Sequence, residues 1–267
     1  MPAILQSAAL VGRAPLGREK ELARLAAAWR ARAPLLISGP ADSGKTFLLQ
    51  HHLRSLPAAE KARHVYVPAY DGAHGLLAEV AAQLSGAAGA AGRQGSGRSA
   101  AEDSTSGRLR LLLRRLSRER RLYVILDHFP PMSHFLTRLV KEWIWNGECG
   151  VCLVARGITR DEIGQAWSIY YAPEYRLTVG ALHEREAKAL LADAIERFRI
   201  ERLASEDFRA EVLRRSGGLP GAIVKMCALA ADPRYQSGNR VKLTLLHVDY
   251  LMRNKACGAV AHAGGLR

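Results

Sequence analysis

The chain has 267 residues, 48% of them apolar, so it can bury a core and is not compositionally disordered. Lys and Arg supply 39 residues against 25 Asp and Glu, a formal net charge of +14. The longest apolar runs, such as Leu122 to Leu126, are too short to span a bilayer, and no basic segment precedes the mildly apolar Ala8 to Val11; neither a membrane-spanning nor a secreted protein is expected.

In chain order, a helix at Arg18 to Ala31 leads into the apolar run Leu35 to Ser38, and a helix at Lys45 to Leu53 follows. Further strands are expected at His64 to Val67, Leu122 to Asp127, Val151 to Ala155 and Tyr175 to Val179. Helices at Gly75 to Leu84, Gly107 to Leu116 and Met132 to Trp145 fall between them. Short apolar runs alternating with helical patterns predict an α/β domain with a mainly parallel sheet over residues 1–179. Within it, residues 86–107 are rich in Gly, Ala and Ser and read as a flexible loop. After Val179 the strand signals stop. Helices at Glu184 to Phe198, Ser205 to Arg215 and Leu219 to Ala231 predict a small helical subdomain over residues 180–231. Residues 232–267 form a short extension with one helix candidate, Val241 to Met252, and an Ala/Gly-rich tail.

The sharpest motif is Gly39-Pro40-Ala41-Asp42-Ser43-Gly44-Lys45-Thr46, an ungapped G-x-x-x-x-G-K-[ST] between an apolar strand and a helix. Glycines let the backbone wrap phosphate oxygens, successive N–H groups point at them, and the helix adds its positive end. Lys45 is expected to reach the β- and γ-phosphates, and the Thr46 hydroxyl to ligate Mg²⁺. A second Mg²⁺ ligand is expected from an Asp ending a hydrophobic strand, which is Asp127; the competing reading is an Asp that caps the next helix. His128 follows where many such ATPases have Glu to activate water. An imidazole accepts a proton near neutral pH with a different reach, so the residues support binding better than fast hydrolysis.

Cys149 and Cys152 form a C-x-x-C, but on a strand residues three apart face opposite sides, and no second pair completes a zinc site. They read as small buried hydrophobes of a reducing cytoplasm. Of the basic residues 31 are Arg and 8 Lys. High Arg beside high Ala and Gly fits a GC-rich genome; a nucleic-acid partner would instead cluster the charge, as the run Arg108 to Arg121 does.

Several of these residues together resemble STAND and AAA+ (origin-recognition-like) P-loop ATPases. Leu16-Gly17-Arg18-Glu19-Lys20-Glu21-Leu22 resembles their leading GRE-x-E-L segment, and Val151 to Arg156 the strand whose terminal Arg senses the γ-phosphate. Gly217-Gly218-Leu219-Pro220 resembles the GLP motif of the helical lid, and Leu182 to Leu191 the lid's first helix. The likeness runs from about Gly17 to Ala231. It departs at Val154-Ala155, where Thr or Ser is usual, and at His128. The resemblance implies that Arg18 flanks the base, Arg156 contacts the γ-phosphate and Pro220 closes over the adenine. It implies an ATP-dependent conformational switch with a protein partner or self-association, in which Arg160 or Arg176 is a candidate donor to a neighbour's site. The alternative is a DNA-associated loader or transposition-type ATPase; a small-molecule kinase finds no acceptor motif.

Overall fold

Leu35–Ser38 (β1) and Gly150–Ala155 (β4) are buried at every residue, as strands covered on both faces must be. The computed structural model describes residues 14–61, 63–68, 75, 76, 78–80, 82, 83, 122–129, 134–146 and 149–263. With His64–Val67 (β2), Tyr123–Phe129 (β3) and Arg176–Thr178 (β5) these strands form one five-stranded sheet in the order β2-β3-β4-β1-β5. Every pairing in it is parallel. The sheet with its helices is an α/β P-loop NTPase fold, as the alternation of apolar runs and helical patterns predicts.

The chain divides into two compact units. The first holds Lys20–Gly39 and His52–Thr178, and so the whole sheet. Glu19–Ala31 (α1) buries Leu25 and Trp29, four residues apart on one face. The Trp29 ring lies 4.4 Å from that of Tyr123 and edge-on to His64. After Lys45–Ser55 (α2) and Ala58–Lys61 (α3), residues 75, 76, 78–80, 82 and 83 are helical. Gln83 there donates to the Tyr66 carbonyl (2.7 Å) and accepts from the Tyr66 N–H (3.1 Å), closing ladder groups that edge strand β2 would otherwise leave open. His134–Trp145 (α4) turns Leu136, Leu139, Val140 and Trp143 to the core at spacings of three and four. Each such side chain contributes about 1.5–3 kcal/mol by leaving water.

The second unit holds Met1–Glu19, Pro40–His51 and Val179–Arg267. Glu184–Arg197 (α6, after the short α5, Arg160–Ile163) packs Leu191 and Ile195 with Phe208 and Val212 of Glu206–Ser216 (α7) and Ile223 and Met226 of Pro220–Ala230 (α8). Ser205 caps α7 by accepting from Phe208 N–H (3.2 Å), Gly217 ends it in the left-handed region, and Pro220 opens α8 at its first turn.

Two expectations for this region are corrected. Strand structure does not stop at Val179: Gln236–Ser237 (β6) pairs antiparallel with Arg240–Val241 (β7) about a turn with Gly238 at φ +58°. Two-residue strands are too short to show alternation in a sequence. The helix expected at Val241 to Met252 is Leu243–Ala263 (α9) instead. Val241 belongs to β7, and the Ala-rich tail favours continuing the helix. Leu246 and Tyr250 of α9 join the same core as α6 to α8. The expected loop at 86–107, the helix at Gly107 to Leu116 and the run Arg108 to Arg121 lie outside the described residues.

Candidate nucleotide site

Strand β1 delivers Gly39 to the C-terminal edge of the sheet, where parallel α/β folds bind ligands. There the Gly39 N–H donates to Gly157 O (2.9 Å) and the Gly157 N–H to Gly39 O (3.1 Å). This two-bond antiparallel bridge lies just beyond the parallel β1–β4 ladder and holds exposed Arg156, the residue before Gly157, beside the first glycine of the P-loop.

In the second unit the rest of the loop turns back on itself. Asp42 takes a left-handed conformation (φ +63°), and the Ser43 N–H donates to Pro40 O (3.4 Å). Ser43 is fully buried and Ala41 exposed. The Lys45 ammonium donates to Pro40 O (2.7 Å) and Ser43 Oγ (3.3 Å), so it lies in the loop's concavity. The Leu48 N–H bonds to Gly44 O and starts α2, which places Lys45 and half-buried Thr46 in the positive first turn of the helix.

Other segments brace this loop. Arg18 is buried, and its guanidinium donates to Ser43 O (3.5 Å) and Gly180 O. It thus holds the loop's own backbone. The Pro220 ring sits where it would make a 3.4 Å contact with a side chain at Gly44. Gly221 N–H donates to Asp42 O (2.8 Å), and a Cβ on Gly221 would come within 2.9 Å of Asp42 Cα. Glycine is needed there because helix and loop backbones touch. The Asp42 carboxylate receives Lys225 Nζ (2.7 Å), Tyr250 Oη (2.9 Å) and Asn254 Nδ2 (3.2 Å).

Asp127 lies near the end of β3 and is 1% exposed. Between Leu126↔Leu153 and Phe129↔Ala155 the register slips by one residue, a bulge at Asp127-His128, with His128 at φ +52°. The bulge turns the His128 side chain outward, where it is 48% exposed, and aims the His128 N–H at Asp127 Oδ1 (2.8 Å). The His128 ring lies 3.4 Å from the same oxygen, and Tyr66 Oη donates to Oδ2 (2.8 Å). Burial pushes the carboxyl up, but bonds and charge from His128 and the bond from Tyr66 outweigh it and hold the carboxyl below its ordinary range. An ionised, buried carboxylate suits a cation. No cluster of three or more metal-ligating side chains exists among the described residues.

Residues 14–130 match the AAA ATPase domain family. The P-loop and Asp127 both lie inside this AAA ATPase match, while Arg156 and the helices after Val179 lie beyond it. No curated protein matches the sequence. Among solved structures, the Walker-type ATPase of Pyrococcus abyssi is similar over 83% of this chain and 71% of its own, with TM-score 0.53 and 16% identity. At that identity the likeness speaks to fold. Pif1 helicase from Candida albicans aligns over 76% of this chain and 48% of its own at TM-score 0.36 and 14% identity, too remote to bear on function. The AAA ATPase match and the fold together support an AAA+/P-loop ATPase family, and with it ATP binding.

Of the residues singled out in the sequence, Arg18, Pro40, Asp42, Ser43, Gly44, Lys45 and Pro220 thus meet around one loop. Gly39 meets the neighbour of Arg156, and Asp127 meets His128. Arg176 is committed locally: its guanidinium stacks 3.8 Å over the Trp167 ring and donates to Tyr170 O and Tyr171 O. Arg160, the first residue of α5, is exposed. Cys149 and Cys152 are buried, and burial followed by the nearby Asp127 charge drives the Cys152 thiol up, away from thiolate chemistry. Sequence reasoning missed Tyr66, whose nearness to Asp127 depends on β2 pairing with β3. It also missed Gly221, Lys225, Tyr250 and Asn254. The available signal was Asp42 itself, an acid in a loop built for anions.

Proposed function

We propose that the chain binds Mg-ATP and acts as a nucleotide-dependent conformational switch of the STAND/AAA+ kind, with slow hydrolysis. The observation that carries this reading is the seating of Pro220 and Gly221 on Gly44 and Asp42 of the P-loop. A segment in backbone contact with the loop cannot ignore a change in the loop's shape. In this reading Lys45 and the backbone of Gly39 to Thr46 bind the phosphates, Arg18 keeps the loop wrapped, and Pro220 borders the base. Thr46 and Asp127 are assigned to the metal and Arg156 to the γ-phosphate. Bound Mg²⁺ supplies charge neutralisation on the phosphates. His128 replaces the usual Glu, so water activation is weak and the bound state is long-lived. A cytoplasmic setting and a protein partner or second copy that reads the helical lid complete the proposal. The DNA-loader alternative rests on Arg108 to Arg121 in the sequence alone.

Hydrogen–deuterium exchange tests the switch. Mg-ATP should slow exchange in α8 and in the P-loop relative to Mg-ADP, because only the triphosphate engages the γ-phosphate contacts. Identical protection with ATP and ADP would leave a nucleotide-binding protein without a switch.

A further inference from the structure

An acid in a P-loop is a physical problem. The loop binds polyphosphate through positive potential, and Asp42 places a full negative charge inside it. Its backbone explains part of the choice, since Asp tolerates the left-handed conformation at φ +63°. The side chain explains the rest. Lys225 Nζ forms an ion pair with Asp42 Oδ1 at 2.7 Å, with only 28% and 11% of the two side chains exposed, so salt screens the pair poorly. Tyr250 and Asn254 both donate to Oδ2. Lys225 also donates to Asn254 Oδ1 (3.0 Å), which orients the amide so that its NH₂ faces the carboxylate. The donors come from two elements, α8 and α9, and meet on one residue of the phosphate loop.

We infer that Lys225 is the counter-charge that lets this acid-bearing loop accept a polyphosphate, with Tyr250 and Asn254 fixing the pair in place. It is a positioning residue: it acts on phosphate affinity through Asp42. Phosphate affinity is therefore tied to α8 and α9 staying on the loop. The inference rests on the nucleotide reading above and adds a residue that the P-loop motif does not contain. A bare charge about 10 Å from a phosphate, at an effective dielectric of about 20, weakens binding roughly tenfold.

The test is a charge cycle read by isothermal titration of the full chain with Mg-ATP and Mg-ADP. Lys225→Met should weaken ATP binding about tenfold, and ADP binding by less because ADP carries one charge fewer. Asp42→Asn should tighten ATP binding several-fold, by leaving Lys225 as a net positive charge. The double variant should return to within about threefold of wild type. A purely structural tether predicts the opposite for the double variant, which would bind no better than Lys225→Met. That result, or wild-type affinity in Lys225→Met, overturns the inference. If Lys225→Met does not fold, the double variant is read against Asp42→Asn: weaker ATP binding in the double, by the lost positive charge, supports the inference, and equal affinity overturns it. Lys45→Ala separates the two claims. Wild-type ATP binding abolished by Lys45→Ala, with Lys225→Met indifferent, removes only the counter-charge; no ATP binding by wild type removes both.

Discussion

His128 shows how one residue sets both geometry and chemistry. It occupies the left-handed position of the bulge after Leu126, a conformation that His tolerates better than most side chains. Its N–H and ring both face Asp127, so it helps keep that buried carboxyl ionised. The sequence names His128 as the departure from an acidic pair, but a bulge cannot be read from Tyr-Val-Ile-Leu-Asp-His-Phe, which looks like a strand ending at Asp127. His128→Glu should raise ATP turnover at least tenfold, the order expected when a competent general base is supplied, against about 1 kcal/mol of left-handed strain. Turnover equal to or below wild type in a coupled phosphate-release assay would show that His128 is not what holds hydrolysis back.

Among the elements, strands were the most legible. The runs Leu35 to Ser38 and His64 to Val67 appear with the bounds their apolar pattern suggests, because buried strands need unbroken apolar residues or clean alternation. β5 is shorter than expected since Pro173-Glu174-Tyr175 forms a 3-10 turn first. The braces on the P-loop were illegible for another reason: Gly221, Lys225, Tyr250 and Asn254 lie 179 to 212 residues from Asp42, and no local pattern records such contacts. Gly221 offers a prediction of sign. In an open helix Gly→Ala stabilises by up to about 1 kcal/mol. Here the added Cβ meets Asp42 Cα, Cβ and O at 2.9–3.0 Å, so Gly221→Ala should destabilise by about 1–3 kcal/mol in urea unfolding. Stabilisation would mean that α8 does not press on the loop.

For the whole molecule, the +14 charge prompts a nucleic-acid question that the described residues answer in part. Many of their arginines have local carboxylate partners. Arg197 pairs with Asp193, Arg214 and Arg215 share Glu211, and Arg234 pairs with Asp232. Such exposed helical and turn pairs add little stability, but they neutralise charge that a nucleic-acid face would keep available. This favours compositional bias for those residues. No helix among the described residues is long and apolar enough to cross a membrane. The P-loop motif remains the feature on which the account turns, since strand, loop and helix stand where the motif's chemistry requires them. Isothermal titration of the full chain with Mg-ATP, for wild type and Lys45→Ala, tests it most directly. Saturable binding by wild type is expected, with a loss of at least about a hundredfold in the variant, whose ammonium no longer meets the phosphates. Unchanged affinity in Lys45→Ala would contradict the assignment of this loop as the nucleotide site.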